Sequence, residues 1–381
     1  MDITQPLPLL GGLSPAQFMR RHWQKKPLLV RQAVPGMTSP IDRAALFALA
    51  ARDEVESRLI RQTDAGWTLQ HGPLARRALP VLNRPGWTML VQGVDQHHDG
   101  VHALLQQFRF LPDARLDDLM ISYASDTGGV GPHFDSYDVF LLQAQGRRRW
   151  SIGKQRDLQL EPDVPLKILS HFEPTQTFVL EAGDMLYLPP RYAHDGVAVG
   201  DDCITFSIGL RSPATGEMGA DLLSRMAQAH AESLADAGSA ALARYRDPGQ
   251  PALSAPAEIP AALQDFARQA VEKALRDADL VDRALGESLT EPKANIFFDG
   301  SVDRGAGAGQ GVVLDRRTRM LYDARHLYIN GESFRAGGRD ARLMRRLADQ
   351  RALDARDLIG ASEAALELLD DWRDAGWLHA R

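Results

Sequence analysis

The chain has 381 residues, more than one ordinary hydrophobic core fills, so we expect two or three domains. Charged residues make up 25% of the sequence and hydrophobic residues 44%, a balance that excludes disordered, collagen-like and coiled-coil proteins. The net charge of -6 excludes a global positive field that would attract nucleic acid or anionic lipid. The single cysteine, Cys203, excludes a disulfide scaffold and a zinc finger.

The N-terminal region predicts helices and no targeting segment. Residues 14–17, Ser-Pro-Ala-Gln, have the pattern of a capping box with proline at the first helical position, which predicts a helix over residues 16–24. Ser-Pro at 39–40 predicts a second helix over residues 44–51. No basic stretch precedes an apolar run, and no stretch of about 18 apolar residues occurs, so we expect a cytoplasmic protein without a membrane partner.

The central region contains short apolar runs separated by Gly, Pro and Asp, the pattern of an all-β sandwich or barrel. These runs cover residues 118–124, 137–144, 148–152, 177–181, 184–188 and 203–210. We therefore place a β-barrel at roughly residues 90–212.

The C-terminal part returns to helical patterns. These cover residues 217–237, 263–275, 341–351 and 363–375. The apolar face of the first two predicted helices is explained either by packing within the chain or by contact between two chains. Asn-Gly at 330–331 predicts a hairpin over residues 326–335, and a small hairpin among helices indicates a winged-helix-like unit.

The sharpest local motif is Gly-Gly-Val-Gly-Pro-His-Phe-Asp at residues 128–135. If this segment is a strand, His133 and Asp135 project to one face, because residues two apart share a face. A Pro-Pro corner at 189–190 sets His194 at the start of a later strand. Two histidines and one carboxylate on one side of an octahedron leave the other positions open, which is the ligand set of non-haem iron(II) oxygenases.

Similar histidine and acid pairs occur elsewhere, at residues 97–99, His171 and His230. The tripeptide alone therefore marks a surface or hydrogen-bonded histidine more often than a metal ligand. Only His133 combines a Gly-rich entry, a following β-run and a later strand-borne histidine, and this context favours the metal interpretation.

Three consecutive arginines follow in the run at residues 146–152. Arg148 shares strand parity with Trp150, so it is predicted to point inward while Arg147 and Arg149 face solvent. A guanidinium fork suits a buried carboxylate, such as the remote carboxylate of a keto-acid cosubstrate. The alternative is that all three arginines form a solvated basic edge.

Two C-terminal features invite other interpretations. The Gly-rich stretch 305–311 lacks the Lys-Ser/Thr of a P-loop and predicts a flexible loop. Residues 314–346 contain nine arginines and four acids, a local charge of +5. This charge leaves nucleic-acid contact open, although not as the primary function, and a solvated face explains it equally well.

Taken together, the motifs resemble the bacterial JmjC-type ribosomal oxygenases of the cupin superfamily. The segments that carry the resemblance are residues 23–31, 118–122, 129–140, 146–150 and 183–194. The resemblance implies an α+β fold with a double-stranded β-helix (jelly-roll) core, a helical dimerisation region and a C-terminal winged-helix-like module. We assign the catalytic domain with its N-terminal helices to residues 1–212, the dimerisation region to 213–290 and the winged-helix-like domain to 291–381.

Carried over residue by residue, the resemblance makes His133, Asp135 and His194 the iron ligands and Arg148 the 2-oxoglutarate anchor. It implies an Fe(II)- and 2-oxoglutarate-dependent oxygenase that consumes dioxygen and releases succinate and carbon dioxide. The implied substrate is an arginine of a large-subunit ribosomal protein, hydroxylated at its β-carbon by a homodimer. A histidine target is the alternative within the family.

The substrate and cosubstrate pockets are implied less completely. In relatives a methionine and a tyrosine at the positions of Met120 and Tyr137 flank the substrate side chain; the alternative is that both are core residues. Relatives often carry a serine near the cosubstrate where this chain has Ala124. The missing hydroxyl leaves open whether Ser122 or Ser125 replaces it, and we take Ser122 as the candidate.

Two other classes of protein remain open at this point. The barrel and the C-terminal module together are compatible with a transcription regulator that binds a small effector and DNA without turnover. The barrel is also compatible with a zinc or manganese isomerase or binding protein, because ligand type alone does not select the metal.

Overall fold

The computed structural model describes residues 2–64, 66–237, 244–252, 254–255, 257–276, 278–300, 311–335 and 337–381. The chain divides into two units, Met1–Ser212 and Pro213–Arg381. No helix in the described ranges combines the length and the apolar composition needed to cross a bilayer. Most of the Gly-rich stretch 305–311 lies outside the described residues.

Two of the three α-helices described in the first unit, the first and the second, begin at side-chain caps. The three helices are α1 (Pro15–Arg21), α2 (Arg43–Ala50) and α3 (Asp99–Gln106). The expected capping box of α1 is confirmed: Gln17 N donates to Ser14 Oγ, and Ser14 N donates to the Gln17 side chain. The cap of α2 is Asp42 rather than Ser39, because the Asp42 carboxylate accepts a hydrogen bond from Ala45 N at 2.7 Å.

The strands of the first unit form one antiparallel sheet. They are β1 (Leu28–Val30), β2 (Ser57–Thr63), β3 (Gly66–His71), β4 (Trp87–Val91), β5 (Leu116–Ala124), β6 (Val139–Gly153), β7 (Gln176–Leu180), β8 (Met185–Leu188) and β9 (Ala193–Leu210). The strand order is β1-β8-β6-β9-β5-β4-β2-β3, and β7 also pairs with β6. This arrangement agrees with the expected double-stranded β-helix. The sheet starts earlier than roughly residue 90, and the two runs expected at 137–144 and 148–152 form the single strand β6.

Strand β6 changes the face that it presents along its length. Its register with β9 shifts between Gln143 and Gln145 and again between Gln145 and Arg147. Before the shifts, Phe140 belongs to the main core, which also contains residues of α1, α2 and α3. After the shifts, Trp150 has the same parity but belongs to a separate cluster beside β8.

The second unit contains the remaining helices and two small sheets. Its helices are α4 (Thr215–Ala237), α5 (Ala261–Leu275), α6 (Ala278–Thr290), α7 (Gly338–Gln350), α8 (Ala355–Leu358) and α9 (Glu363–Asp374). Its strands are β10 (Val312–Leu314), β11 (Met320–Tyr322), β12 (His326–Ile329), β13 (Glu332–Arg335), β14 (Ala352–Leu353) and β15 (Leu378–Ala380). The expected hairpin is confirmed by β12 and β13, since Asn330 and Gly331 take φ angles of 47° and 91°.

The core of the second unit lies between its helices and its sheets. Leu347 of α7 and Trp372 of α9 pack with residues of β10 and β12. Helix α6, which the sequence analysis did not anticipate, packs on α4 through Leu280 and Met226. Asp279 at the start of α6 forms an ion pair with Arg335 of β13.

Candidate active site

The segment that carries His133 and Asp135 connects β5 to β6 and is not a regular strand. His133 makes an isolated antiparallel bridge with His194, in which each backbone N donates to the carbonyl of the other residue, at 2.9 and 2.8 Å. The expectation of a regular strand at His133 and Asp135 is therefore wrong, although their side chains lie together as predicted. The bridge, rather than parity, brings the two histidines together, and His194 lies at the start of β9 as expected.

Both histidine rings are oriented by backbone carbonyl groups. His133 Nδ1 lies 2.9 Å from the oxygen of Gly131, and His194 Nδ1 lies 2.8 Å from the oxygen of Tyr192. A carbonyl oxygen only accepts hydrogen bonds, so each Nδ1 carries the proton and each Nε2 retains a lone pair. Such contacts fix the tautomer and orientation of histidines that bind metals.

The three donor groups are close enough to share one ion. Ligand atoms of His133, Asp135 and His194 all lie within 4.8 Å of one another, and Asp135 Oδ2 is 3.7 Å from His194 Nε2. Burial and the neighbouring His133 lower the pKa of His194 to about 4, so its ring is neutral at physiological pH. Two imidazole nitrogens and one carboxylate on one side of a site fit iron(II).

The other histidine and acid pairs form no comparable group. His98 directly precedes α3 and His230 lies in α4. The side chain of His171 is 72% exposed, and its Nδ1 lies 3.6 Å from Asp157 Oδ2. Among the described residues, no other set of three or more His, Cys, Asp or Glu side chains was found with ligand atoms this close.

Arg148 is buried, as its parity predicted, whereas Arg147 and Arg149 are exposed. Only 3% of Arg148 is exposed, and its Nε and Nη2 have no hydrogen-bond partner among the described residues. The guanidinium lies over the ring of Trp150 at 5.8 Å, and that ring lies 5.8 Å from the ring of His194. Buried N–H donors of a cation that make no hydrogen bond are costly, so this position fits an anionic ligand.

The structure distinguishes the two serines considered as replacements for the missing hydroxyl. Ser125 is occupied by the backbone of β4, because its Oγ contacts both the N and the O of Trp87. Ser122 is buried, and its Oγ makes only a long contact of 3.4 Å to Thr205 O. Ala124 itself lies in a small apolar cluster with Cys203.

Met120 and Tyr137 lie on different elements. Met120 is half-buried on β5, with Sδ 4.0 Å from Nη2 of Arg58. Tyr137 lies before β6 begins, although the expected run covered residues 137–144, and it is 40% exposed. Burial of its hydroxyl end and the nearby Asp135 and Asp118 carboxylates raise the pKa of Tyr137, so its phenol is protonated at neutral pH.

Sequence reasoning missed the residues that hold the metal-ligand segments in place. Gly131 and Tyr192 each lie two positions before the histidine that they orient, which is a usable signal in retrospect. Arg191 takes a positive φ of 61°, its N donates to Asp135 O at 2.7 Å, and its guanidinium lies over Phe134. Arg191 thus connects the segment that carries Asp135 to the Pro-Pro corner that precedes His194.

The arginines of the second unit are largely engaged within that unit. Arg317 pairs with Asp315, Arg346 pairs with Asp357, and Asp279 pairs with both Arg325 and Arg335. Asp315 is already counted in the local charge of +5, whereas Asp279 and Asp357 lie outside residues 314–346 and lower it by two, to +3. The ion pairs favour the solvated, internally paired face over a nucleic-acid surface.

Comparisons with known proteins identify relatives over both units. A family model of the JmjC domain matches residues 103–218, and a model of the ROXA-like winged helix matches residues 273–379. The chain is 31% identical over 357 residues to the ribosomal protein uL16 3-hydroxylase of Escherichia coli, covering 91% of each chain.

Solved structures with the same fold cover nearly the whole chain. The X-ray structure of E. coli ycfD matches with a TM-score of 0.79 and 30% identity, over 96% of this chain and 98% of that chain. The structure of YcfD, a ribosomal oxygenase from E. coli, in complex with cobalt and 2-oxoglutarate matches with a TM-score of 0.75 and 29% identity, over 95% and 97% of the two chains.

Proposed function

The chain belongs to the JmjC-type ribosomal oxygenases, and we propose that it hydroxylates an arginine side chain of ribosomal protein uL16 at the β-carbon, using Fe(II), 2-oxoglutarate and dioxygen. This membership confirms the resemblance stated from the motifs, the double-stranded β-helix core and the winged-helix module. The observation that carries the proposed activity is the group His133, Asp135 and His194, together with the buried, unpaired Arg148.

His133 and His194, through Nε2, and Asp135, through its carboxylate, would hold the iron. When bound, the iron and 2-oxoglutarate supply the oxidation that adds one oxygen atom of dioxygen to a C–H bond and leaves succinate and carbon dioxide. The chain contributes the orientation of the ligands, since backbone carbonyls hold both Nδ1 protons. Because His194 stays neutral well below pH 7, no proton competes for its Nε2 at working pH.

Arg148 would bind the remote carboxylate of 2-oxoglutarate. Its unpartnered Nε and Nη2 support this role, because a bidentate carboxylate satisfies both donors. Ser122 would supply the hydroxyl that Ala124 lacks. This choice is supported by the engagement of Ser125 with the Trp87 backbone.

Met120 and Tyr137 would flank the substrate side chain. The nearness of the Arg58 guanidinium to Met120 Sδ supports this role, because thioethers and aromatic faces bind flat cations well.

The protein forms a homodimer through residues 213–290 and carries its winged-helix-like domain at 291–381. The dimer is supported by α5, which has no buried residue in the described chain and exposes Phe266 and Val271. Light scattering should give twice the 42.0 kDa chain mass, and Phe266→Glu combined with Val271→Glu should reduce it to one chain. A wild-type mass of one chain would refute the dimer.

A ribosomal protein substrate supports a cytoplasmic location, and no nucleic-acid contact is needed for the reaction. Binding to duplex DNA with a steep salt dependence, and with no succinate formed, would instead support the regulator.

The test of the activity is incubation of uL16 with the enzyme, Fe(II), 2-oxoglutarate and air, followed by mass spectrometry. The expected result is a gain of one oxygen atom on an arginine, with one succinate formed per hydroxylation. His133→Ala should abolish both products, because two remaining ligands hold iron poorly. Equal products from wild type and His133→Ala would refute the proposal, and oxygen on a histidine would reassign the target.

A further inference from the structure

Asp138, the residue after Tyr137, is a fully buried carboxylate whose partners come from distant parts of the chain. Its Oδ1 accepts from the Tyr187 hydroxyl at 2.5 Å. Its Oδ2 accepts from Gln24 Nε2 at 3.0 Å and lies 3.5 Å from Arg115 Nη2. These three donors compensate a charge that is otherwise costly to bury.

Gln24 is bound to this carboxylate by two routes. Besides the direct bond from its side chain, its backbone N donates to the Tyr187 hydroxyl at 2.8 Å, and that hydroxyl donates to Asp138. Gln24 takes a positive φ of 54°, a conformation that persists in a non-glycine residue only where its surroundings impose it. The ring of Trp23 stacks on the Tyr187 ring at 6.2 Å.

Arg115 extends the same network to two strand ends. Its Nε donates to the oxygen of Arg211 at 2.6 Å, and Arg211 N donates back to Arg115 O at 2.7 Å. Its guanidinium lies over the Trp23 ring at 5.4 Å. Since Arg115 precedes β5 and Arg211 follows β9, the network joins the N-terminal segment to the beginnings of β5 and β6 and the end of β9.

We propose that Asp138 is a positioning residue for the protein substrate and acts through Tyr137; this role rests on the proposed function. Tyr137 lies outside the strands, so no β-ladder fixes it. The chain is fixed both before and after Tyr137. Asp138 is fixed by the network, and the carbonyl of Asp135 accepts a hydrogen bond from Arg191 N. The half-exposed phenol is thereby kept at a set place relative to Met120, whose strand is tied to the same network.

A second buried aspartate provides a matched control. Asp184 also anchors the N-terminal segment, since it accepts from Arg31 Nη1 at 2.6 Å and from Gln32 N at 2.9 Å. It precedes β8 at the end opposite Leu188, which pairs with Val139 beside Asp138. It therefore lies roughly 13 Å along the strand from the Tyr137 end.

The experiment compares the kinetics of wild type, Asp138→Asn and Asp184→Asn with uL16 as substrate. Asp138→Asn should raise the KM for uL16 roughly ten- to hundredfold, because a small misplacement of a substrate-contacting group is costly. Its KM for 2-oxoglutarate should stay at the wild-type value. Asp184→Asn should leave both KM values unchanged. Its melting temperature should nevertheless fall about as much as that of Asp138→Asn.

Three outcomes would overturn the proposal. These are an unchanged KM for uL16 in Asp138→Asn, an equal rise in both variants, and a rise in the KM for 2-oxoglutarate of Asp138→Asn that matches its rise for uL16. An equal rise in both variants would show that the N-terminal segment is loosened in general. A matching rise in the KM for 2-oxoglutarate would show that the substitution disturbs Asp135, the proposed metal ligand.

A milder variant and a readout without turnover protect the test against misfolding and against failure of the proposed function. Tyr187→Phe removes one donor to Asp138 but keeps the ring, so we expect a smaller rise in the KM for uL16. Hydrogen exchange followed by mass spectrometry should show faster exchange of residues 134–138 in Asp138→Asn and not in Asp184→Asn. Wild type without succinate formation would refute the proposed function, whereas equal exchange in all proteins would refute the positioning role alone.

Discussion

Arg148 in the first unit and Asp315 in the second are both buried charged side chains, but their surroundings differ. Asp315 accepts hydrogen bonds from Arg317 Nε at 2.7 Å and from His379 Nε2 at 2.8 Å. Arg148 has two guanidinium nitrogens without a partner in the described part of the chain. Because an uncompensated buried charge is costly, the paired residue stabilises its own unit and the unpaired residue is suited to receive a charged ligand.

The largest expected effect concerns Arg148 and its proposed binding of 2-oxoglutarate. Arg148→Met should raise the KM for 2-oxoglutarate by about a hundredfold or more, since a bidentate, charge-assisted contact is lost. The free energy of unfolding of the ligand-free protein should not fall, because an unpaired buried charge is removed. Steady-state kinetics and urea unfolding measure the two effects, and a large loss of ligand-free stability would contradict the ligand role.

For Asp315, whose carboxylate is paired, we expect an effect on stability and none on cosubstrate binding. Asp315→Asn should lower the free energy of unfolding of the second unit by about 3 kcal/mol, because Arg317 is left without its buried partner. The KM for 2-oxoglutarate should be unaffected. Urea unfolding followed by circular dichroism, with the hydroxylation assay as the control, would expose an error if activity fell and stability did not.

The position of the Arg148 guanidinium also depends on the Trp150 ring, over which it lies. A Cβ added at Gly196 would lie 2.5 Å from the Trp150 ring, which lies between Arg148 and His194. Gly196→Ala should therefore cost about 1–3 kcal/mol of stability and weaken binding of both metal and cosubstrate. Calorimetric titration with manganese tests this, and unchanged binding would show that Trp150 shifts freely.

The paired carboxylate of Asp315 should also make the stability of the protein depend on pH. Burial raises the pKa of Asp315, but the hydrogen bonds from Arg317 and His379 outweigh it and hold this pKa below 3.8. Its contribution to stability is therefore complete above the unfolded value of 3.8 and is lost as the pH falls through the lower folded pKa. Urea midpoints between about pH 6 and pH 2.5 should fall more steeply for wild type than for Asp315→Asn. Parallel curves would refute the assignment.

The smallest effect belongs to the exposed neighbours of Arg148. Arg147→Ala and Arg149→Ala should each change stability by less than about 0.5 kcal/mol, because both side chains are exposed. Neither variant should change the KM for 2-oxoglutarate. A defect as large as that of Arg148→Met would mean that the cluster acts as a basic patch rather than through one inward residue.

The sequence was sufficient for the features that local patterns encode. Alternation within β6 identified Arg148 as the inward arginine, Asn330-Gly331 identified the hairpin, and Ser14 identified the first helix cap. Each depends on a period or on a turn conformation that neighbouring residues set.

The features that it did not predict depend on contacts between distant residues. His133 and Asp135 are not in a strand, because a bridge to His194 replaces the ladder that parity would require. The ion pair of Arg335 with Asp279, which helps to neutralise a segment that looked basic, joins a hairpin to a helix that was not anticipated. No local period reports such pairings.

The shifts of register in β6 decide which of the three consecutive arginines is buried. Gly146 lies within them at a φ of 66°, and an added Cβ there would lie 3.1 Å from Asp202 O. A strand of the same length without these shifts would alternate unbroken from Phe140, and the two sides of the strand beyond Gly146 would be exchanged. Arg147 and Arg149 would then occupy the interior and Arg148 the solvent. The burial of Arg148 therefore depends on the extra residue that the shifts accommodate, and a homologue that lacks one residue between Gln143 and Arg148 is expected to lack the irregularity as well.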